Sequence, residues 1–288
     1  MDRRALWKVL RSRGVPAILL DLISALHDGT AVRVRVGEEL SGHLLTTSGV
    51  RQGCVLAPSL FCIAIDWILR HMTSRPRITV DQQHFTDLVY ADDTTFLVDS
   101  PIQASSCLSS FSEAAAVFGL RISWPKTKIQ NVGSGPQPPS ILVHGNPVDS
   151  VSTITYLGSL QSSDGYCRPD VCRRITLASS VMSFLYCIWM ERRLPLPIKI
   201  RVYLALVQSV LFYASETWNL TSADARSLEA FHMKCQRRIL KISWRQFVRN
   251  SEISALTGLP AINDVIRHRR IAVFGHIARL QDSTPALC

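Results

Sequence analysis

The sequence predicts an α+β fold in which a β-rich first half is followed by a helical second half. Up to about residue 160, short runs of β-branched and aromatic residues alternate with helical patterns and turn residues. From Asp170 onward, apolar residues recur at helical spacing and prolines mark the breaks. The apolar fraction of 47% is ample for a folded core, which argues against a disordered chain.

Two helices and one strand are predicted first. A helical pattern that starts at Ala5 ends at Gly14, and Pro16 starts a second helix. The apolar face of that second helix consists of Ile18, Leu19, Leu22, Ile23 and Leu26. The period then changes to two, so residues 32–36 are predicted to form one strand with valines on one face and arginines on the other. These arginines contact either a phosphate backbone or only solvent, and the pattern leaves both open.

A loop with the residues Arg51, Gln52 and Gly53 precedes a helix that is predicted from Ala57 to Met72. Glycine allows the backbone to approach a ligand closely, and a helix N-terminus favours phosphate. An ordinary capped loop is the alternative that these residues leave open.

The four residues Tyr90-Ala91-Asp92-Asp93 stand between two stretches, 85–89 and 94–98, that have the composition of strands. The pattern predicts a hairpin whose tip, Ala91-Asp92-Asp93, carries adjacent carboxylates. Adjacent carboxylates repel each other unless a cation lies between them, and Mg²⁺ prefers carboxylate oxygens. This is the arrangement that two-metal nucleotidyl transfer requires, whereas an exposed acidic turn is the simpler alternative.

Beyond this hairpin, a helix is predicted over about 103–118, with Asp99 or Ser100 as its cap. Lys126 and Lys128 follow, and a lysine suits a triphosphate, although a solvated pair is equally compatible with the pattern. The remaining elements of the first half are a short strand near Ile129, a loop at 133–140, a small hairpin around 144–147 and one strand over 154–160.

The second half contains five predicted helices and many basic residues. The helices are predicted at 172–191, 197–213, 222–241, 246–257 and 262–280. Tryptophans and a phenylalanine are interleaved with the basic residues, so the surface could bind nucleic acid by charge and stacking. A tryptophan at helical spacing is more often part of the core, which is the preferred interpretation for each one.

The formal net charge of +10 predicts attraction to polyanions, with nucleic acid as the default partner. No two cysteines have the two-residue separation of a zinc ribbon, so a reducing compartment without disulfides is expected. The start of the chain does not resemble a signal peptide, and the apolar runs are too short to cross a bilayer. An intracellular protein, cytoplasmic or nuclear and not secreted, without a membrane partner, is the expectation; the oligomeric state is left open.

The order and spacing of these motifs resemble a non-LTR retrotransposon (LINE-like) reverse transcriptase over nearly the whole chain. The 90–93 string is similar to the catalytic hairpin of the family, and Ser48–Phe61 resembles its Gln-Gly motif. Gly119–Lys128 is similar to the lysine-bearing motif, and Tyr156–Ser159 resembles the primer grip. Two later segments, 216–218 and 231–244, look like the helical thumb of such elements. The resemblance implies a partial palm at 1–160 and a helical thumb-like region at 161–288.

The resemblance also implies RNA-directed DNA synthesis with two Mg²⁺ ions. The expected partners are an RNA template, a DNA primer and deoxynucleoside triphosphates. Asp92 and Asp93 would be the catalytic residues and metal ligands. Residues expected at the primer or nucleotide are Tyr90, Arg51, Gln52, Gly53 and Lys128, and those expected on nucleic acid are Arg237, Arg238 and Lys241.

One departure from the family pattern predicts an amino-terminally truncated polymerase. The family has another metal-binding aspartate on the first palm strand, whereas 2–7 resembles the segment just after that strand. The strand and the fingers would lie upstream of Met1, so we expect weakened or lost metal binding and no activity from this chain alone. Two alternatives are a non-catalytic nucleic-acid-binding remnant and a pseudogene product that folds poorly.

Overall fold

The α+β content predicted from the sequence is confirmed by the computed structural model, which describes residues 1–51, 53–80 and 83–279. The chain divides into two compact units. The first comprises Met1–Ile129 and Pro138–Ser150, and the second comprises Gln130–Gln137 and Val151–Cys288.

The first unit contains helices, short two-stranded ladders and a three-stranded sheet. Its helices are α1 (Arg3–Ser12), α2 (Ala17–His27), α3 (Ala57–Arg70) and α4 (Pro101–Ala116). Its strands are β1 (Ala31–Val32), β2 (Arg35–Val36), β3 (Glu39–Leu40), β4 (Leu44–Leu45), β5 (Ile78–Val80), β6 (Gln83–Phe85), β7 (Asp87–Tyr90), β8 (Asp93–Phe96), β9 (Lys128–Ile129), β10 (Ile141–Val143) and β11 (Asn146–Ser150). The antiparallel pairs are β1–β4, β2–β3, β5–β6, β7–β8 and β10–β11, while β9 runs parallel to β11.

The core of the first unit lies between α1, α3 and α4. Leu6 and Leu10 of α1 and Ile68 of α3 are buried there together with Phe118, which follows α4. The Trp67 ring meets the Phe118 ring edge-on at 5.3 Å between centroids. Ser100 caps α4 by accepting a hydrogen bond from the backbone N–H of Gln103, which confirms one of the two predicted caps.

Two expectations about the first unit were wrong. The predicted apolar face of α2 is largely exposed, with Ile18 at 71% and Leu22 at 62%, whereas Leu20 is buried. Spacing within a helix shows which residues share a face but not which face meets the core. The single strand predicted over 32–36 is divided between β1 and β2, which pair with different partners.

The second unit is a helical bundle with one hairpin. Its regular elements are β12 (Thr153–Tyr156), β13 (Ser159–Ser162), α5 (Arg168–Phe184), α6 (Tyr186–Met190), α7 (Leu196–Val202), α8 (Ser209–Leu211), α9 (Ser222–Leu240), α10 (Asn250–Thr257) and α11 (Ile262–Ile277). A π-helical segment, Tyr203–Gln208, joins α7 to α8. The core around α5 and α9 includes Trp189, Tyr203 and Phe212, which are fully buried.

The second unit corrects two expectations and confirms a third. The strand predicted over 154–160 is the β12–β13 hairpin, which turns at Leu157 and Gly158. The helix predicted over 172–191 breaks after Phe184. Trp189 and Trp218 are buried, which confirms the core interpretation for both, while Phe247 is 84% exposed. Leu280, the predicted last residue of the final helix, lies outside the described residues.

Seven cysteines in the described part of the chain are free thiols, and Cys107, Cys167 and Cys235 are buried. Burial raises the pKa of the Cys235 thiol to about 12. Within residues 1–51, 53–80 and 83–279, no helix combines the length and the apolar character that a membrane crossing needs.

Candidate active site

Strands β7 and β8 form the predicted hairpin, but the tip is shorter than expected. Tyr90 and Asp93 are the last opposed pair of the ladder, so only Ala91 and Asp92 form the turn. The predicted tip, Ala91-Asp92-Asp93, was one residue too long, because Asp93 pairs with Tyr90. Asp92 therefore projects from the turn, and Asp93 begins the second strand.

Ala91 adopts a positive φ of 53° in this turn. Tight two-residue hairpin turns require a positive φ at their first central position, because this twist matches that of the flanking strands. Glycine adopts this conformation freely, whereas alanine is strained by about 1 kcal/mol. The turn thus holds the carboxylate of Asp92 beside a backbone that is conformationally strained.

The two faces of the hairpin have different surroundings. Residues that oppose each other in an antiparallel pair lie on the same face, so Tyr90 shares a face with Asp93. Phe96 lies on the other face, where its ring meets the Phe111 ring of α4 edge-on at 5.4 Å. Helix α4 therefore supports the hairpin from one side and leaves Tyr90, which is 64% exposed, and Asp93 on the open side.

The acidic pair supplies two hard oxygen donors at adjacent positions. Asp92 and Asp93 are both exposed. Carboxylates are the ligands that Mg²⁺ prefers, so the donor chemistry suits this ion. Within the part of the chain that the structure describes, no cluster of three His, Cys, Asp or Glu side chains could hold a metal. The pair is therefore a partial ligand set within these residues.

The loop before α3 is attached to α1 by the side chain of Arg3. Its guanidinium donates hydrogen bonds to the carbonyls of Gly49 at 2.9 Å and Thr46 at 3.0 Å, and also to that of His27 at 2.7 Å. The N–H of Gly49 donates to the carbonyl of Met1 at 2.7 Å. Sequence reasoning did not identify this role of Arg3, because its acceptors lie 24 to 46 residues away along the chain.

The structure describes two of the three residues of this loop that were predicted to contact template or nucleotide. Arg51 is exposed, and Gly53 has a positive φ of 81°. Gln52 lies outside the described residues. The segment leads directly into α3, which begins at Ala57 as predicted.

Lys128, the predicted triphosphate ligand, forms an ion pair. It lies on β9 opposite Asp149 of β11, and its Nζ is 2.7 Å from Asp149 Oδ2. The Asp149 side chain is 62% exposed, so the pair is accessible to solvent and weakly held. An anionic ligand would compete with Asp149 for the lysine.

The three basic residues predicted to bind nucleic acid lie at the end of α9. Arg237 donates to the carbonyl of Val248 at 2.9 Å and to Asn250 Oδ1 at 2.7 Å, so it has a structural role. Lys241 ends the helix with a positive φ of 60°, and its Nζ donates to the carbonyl of Met190 at 2.9 Å.

Arg238 is exposed and lies over the ring of Tyr186, with 5.7 Å between its guanidinium carbon and the ring centroid. Lys234, Arg237 and Arg238 line an open cavity of about 590 Å³ between α5 and α9. Apolar side chains such as Met182 and Phe231 contribute to the same cavity. It therefore combines a cationic rim with an apolar wall.

Comparisons with known proteins agree on one family. The profile of the family described as reverse transcriptase (RNA-dependent DNA polymerase) matches residues 2–160. A transposon-derived protein of Caenorhabditis elegans is 23% identical over 212 residues, which cover 70% of this chain and 75% of that protein. The RNA-directed DNA polymerase from the mobile element jockey of Drosophila funebris is 22% identical over 259 residues.

The matched regions differ in how much of each relative they cover. The jockey alignment covers 86% of this chain but 28% of the jockey protein. The Pol polyprotein from the type-1 retrotransposable element R2 of Popillia japonica is 24% identical over 178 residues, which are 58% of this chain and 29% of the polyprotein. The chain thus spans about three quarters of the nematode relative and less than a third of the jockey and R2 proteins.

Proposed function

We propose, on the premise that this chain belongs to the reverse transcriptase (RNA-dependent DNA polymerase) family and is of the non-LTR retrotransposon type, that its β7–β8 hairpin takes part in RNA-templated DNA synthesis. One observation carries the proposal: two adjacent exposed carboxylates, Asp92 in the turn and Asp93 on the open side, belong to a supported hairpin within the matched segment. Residues 1–160 are proposed to contribute a palm, and 161–288 a thumb-like region.

Asp92 and Asp93 are proposed to hold Mg²⁺, because adjacent exposed carboxylates fit the oxygen preference of this ion. In nucleotidyl transfer, such ions lower the pKa of the attacking hydroxyl and stabilise the leaving pyrophosphate. Tyr90 shares the face of Asp93 and would support the primer end there. The protein residues thus orient the primer and concentrate negative charge where the cation is needed.

Three further contacts are proposed with the template or nucleotide. Arg51 is exposed and offers a planar cation to a phosphate. Gly53 permits close backbone approach, and Gln52 belongs to the same motif. Lys128 would exchange its Asp149 partner for a triphosphate. The RNA template, the DNA primer and the deoxynucleoside triphosphates are the proposed partners, and the net charge of +10 favours all three polyanions.

A double substitution with a matched control tests the metal proposal. The β2–β3 hairpin has Glu38 in its turn and Glu39 as the first residue of its second strand, so these two occupy the positions that Asp92 and Asp93 occupy in β7–β8. The test pair is Asp92→Asn with Asp93→Asn, and the control pair is Glu38→Gln with Glu39→Gln. Both remove two exposed negative charges from the same positions of a hairpin.

The measurement is the affinity for an RNA-template/DNA-primer duplex, by fluorescence anisotropy, with and without Mg²⁺. We expect Mg²⁺ to tighten binding by the unmodified chain and by the glutamate control, and to have no effect on the aspartate variant. Equal Mg²⁺ dependence in all three proteins would rule out the acidic pair as the metal ligands. Primer extension by the unmodified chain is a separate measurement, and it tests the prediction that the chain alone is inactive.

The second candidate function is nucleic-acid binding without catalysis. The cavity lined by Lys234, Arg237 and Arg238 supports it, because the exposed cations Lys234 and Arg238 beside an apolar wall suit a phosphate backbone and stacked bases. This function predicts salt-dependent binding that is indifferent both to Mg²⁺ and to the substitutions at Asp92 and Asp93. The anisotropy series above therefore separates the two functions.

A further inference from the structure

The β12–β13 hairpin has a strained turn. Leu157 and Gly158 form its two-residue loop, and both have a positive φ, 46° and 78° respectively. Positive φ at both central positions is typical of a type I′ turn, for which Asn-Gly and Asp-Gly are the preferred sequences. Leucine is unfavourable there, because its bulky side chain clashes with the backbone in the left-handed region.

Side chains from distant parts of the chain bind both carbonyls of this turn. The hydroxyl of Tyr213 donates to the carbonyl of Leu157 at 2.7 Å. Arg173 donates to the carbonyl of Gly158 at 2.9 Å, and Arg174 donates to the same oxygen. A strained turn persists only where its surroundings hold it, and these hydrogen bonds supply that restraint.

The carboxylate of Asp170 holds this arrangement together. Asp170 is 1% exposed, and it lies 3.4 Å from Arg173 and 3.6 Å from Arg174. Its Oδ1 accepts a hydrogen bond from the N–H of Leu160 at 3.0 Å, directly on β13. Its Oδ2 accepts one from the indole N–H of Trp218 at 3.1 Å. One buried anion thus joins α5, the hairpin and the segment around Trp218.

Arg174 connects Asp170 to Tyr213, so the side chains that bind the two carbonyls also contact each other. Arg174 lies over the Tyr213 ring, 4.4 Å from its centroid, so the arginine that Asp170 orients also orients the tyrosine. A Cβ added at Gly158 would lie 3.5 Å from the Tyr213 ring, so the turn packs closely against it. Asp170, Arg174 and Tyr213 therefore act as one unit on two carbonyls.

We propose that Asp170 and Tyr213 are positioning residues that hold the Leu157-Gly158 turn in one rigid conformation, ready to contact the primer strand near its 3′ end. The inference rests on the proposed polymerase function, because Tyr156–Ser159 is the segment that resembles the primer grip. A turn that is ordered before binding loses less conformational freedom when it contacts nucleic acid. A contact role for the turn explains why a leucine occupies a conformation that favours asparagine or glycine.

The first test removes one hydroxyl. Tyr213→Phe deletes the hydrogen bond to Leu157 and keeps the ring beneath Arg174. We expect a several-fold loss of affinity for a duplex with a recessed 3′ end, no change for a blunt duplex of the same length, and an almost unchanged melting temperature. Tyr166→Phe is the matched control, because Tyr166 is an exposed tyrosine of the same unit that has no role in the network.

The second test separates strain from contact. Leu157→Asn introduces the preferred residue of the turn, so it should raise the melting temperature while it lowers the preference for recessed ends. His144→Asn is its control: His144 and Gly145 have φ of 50° and 75° in the β10–β11 hairpin, the same turn in the other unit. This control should leave the affinity for both duplexes unchanged.

The outcomes for the inference and for the proposed function are distinct. An unmodified chain that binds recessed and blunt duplexes equally would contradict both. A preference for recessed ends that survives Tyr213→Phe and Asp170→Asn, in folded proteins, would overturn the positioning role alone. If Asp170→Asn does not fold, Tyr213→Phe decides the matter, because it removes no buried charge. Loss of the preference in Tyr213→Phe with the melting temperature retained supports the proposal.

Discussion

The contacts of Arg3 predict a large and local effect when this side chain is removed. The guanidinium donates to three carbonyls, those of His27, Thr46 and Gly49, at 2.7 to 3.0 Å, and its position is half-buried. A hydrogen bond from a charged donor contributes about 1.5–3 kcal/mol, but water can reach part of this site after truncation. We therefore expect Arg3→Ala to lower the free energy of unfolding of the first unit by about 2–4 kcal/mol.

The adjacent arginine provides the control for this prediction. Arg4 is exposed on the same turn of α1, so Arg4→Ala should change stability by no more than about 0.5 kcal/mol. Arg3→Lys tests geometry, because an ammonium is a point charge that cannot reproduce the planar fork of the guanidinium over separated carbonyls. We expect the lysine variant to recover only a minor part of the loss.

Hydrogen exchange by mass spectrometry is the most direct assay, because the effect is local. Arg3→Ala should speed amide exchange in 46–54, the segment that contains the predicted nucleotide-contacting loop, before it affects α4. A loss of about 2–4 kcal/mol corresponds to a decrease of roughly 5–12 °C in the melting temperature of a unit of this size. Equal exchange rates in 46–54 for Arg3→Ala and Arg4→Ala would refute the reasoning, because the hydrogen bonds would then not hold the loop.

Three further predictions concern the hairpin, a buried histidine and the basic cavity. Ala91→Gly should stabilise the first unit by about 0.5–1 kcal/mol in urea unfolding, because glycine relieves the positive φ; destabilisation would contradict the strain. Burial lowers the pKa of His232, although the nearby charge of Glu229 acts in the opposite direction. The unfolded chain therefore binds the proton more readily than the folded one, and the free energy of unfolding should fall as the pH drops below about 6.5. His232→Gln should flatten this dependence between about pH 7.5 and 5.5. Arg238→Ala should reduce the slope of log affinity against log salt by about 1 for nucleic acid, while Arg226→Ala on the same helix should leave it unchanged.

The surroundings of His232 explain why burial lowers its pKa. His232 is fully buried on α9, and its Nδ1 lies 2.7 Å from the hydroxyl of Tyr203, which is also fully buried. A neutral imidazole can share a hydrogen with this hydroxyl, whereas a charged imidazolium would lose its hydration, a cost that the charge of Glu229 offsets only in part. The sequence shows a histidine on a helix, and only the packing of α9 against the π-helical segment makes it a group sensitive to pH.

Much of the candidate site follows from residues close together in the chain. The strands on either side of Ala91 were predicted because both flanks are rich in β-branched and aromatic residues, and the start of α3 was predicted from helical periodicity. The caps and turns of this region depend on interactions within about four residues. The exact extent of the turn escaped prediction, because whether Tyr90 and Asp93 pair depends on the twist of the whole ladder.

Contacts between residues that are far apart in the chain could not be found in this way. Lys128 was predicted to be available for a triphosphate, but β9 runs beside β11 and places it against Asp149. Arg237 was predicted to contact nucleic acid, and it also donates hydrogen bonds to the segment at 248–250. A single sequence identifies such cations, whereas their partners depend on which elements become neighbours.

The sequence by itself determined the family, the acidic hairpin and the change from strands to helices, because short-range periodicity and adjacent motif residues encode all three. The tertiary structure alone decided which faces are buried, as the exposed face of α2 shows, and which carbonyls Arg3 and Arg174 bind. The physical reason is distance along the chain. Arg3 reaches 46 residues to Gly49, and Asp170 reaches 48 to Trp218, so these contacts exist only after the elements have packed.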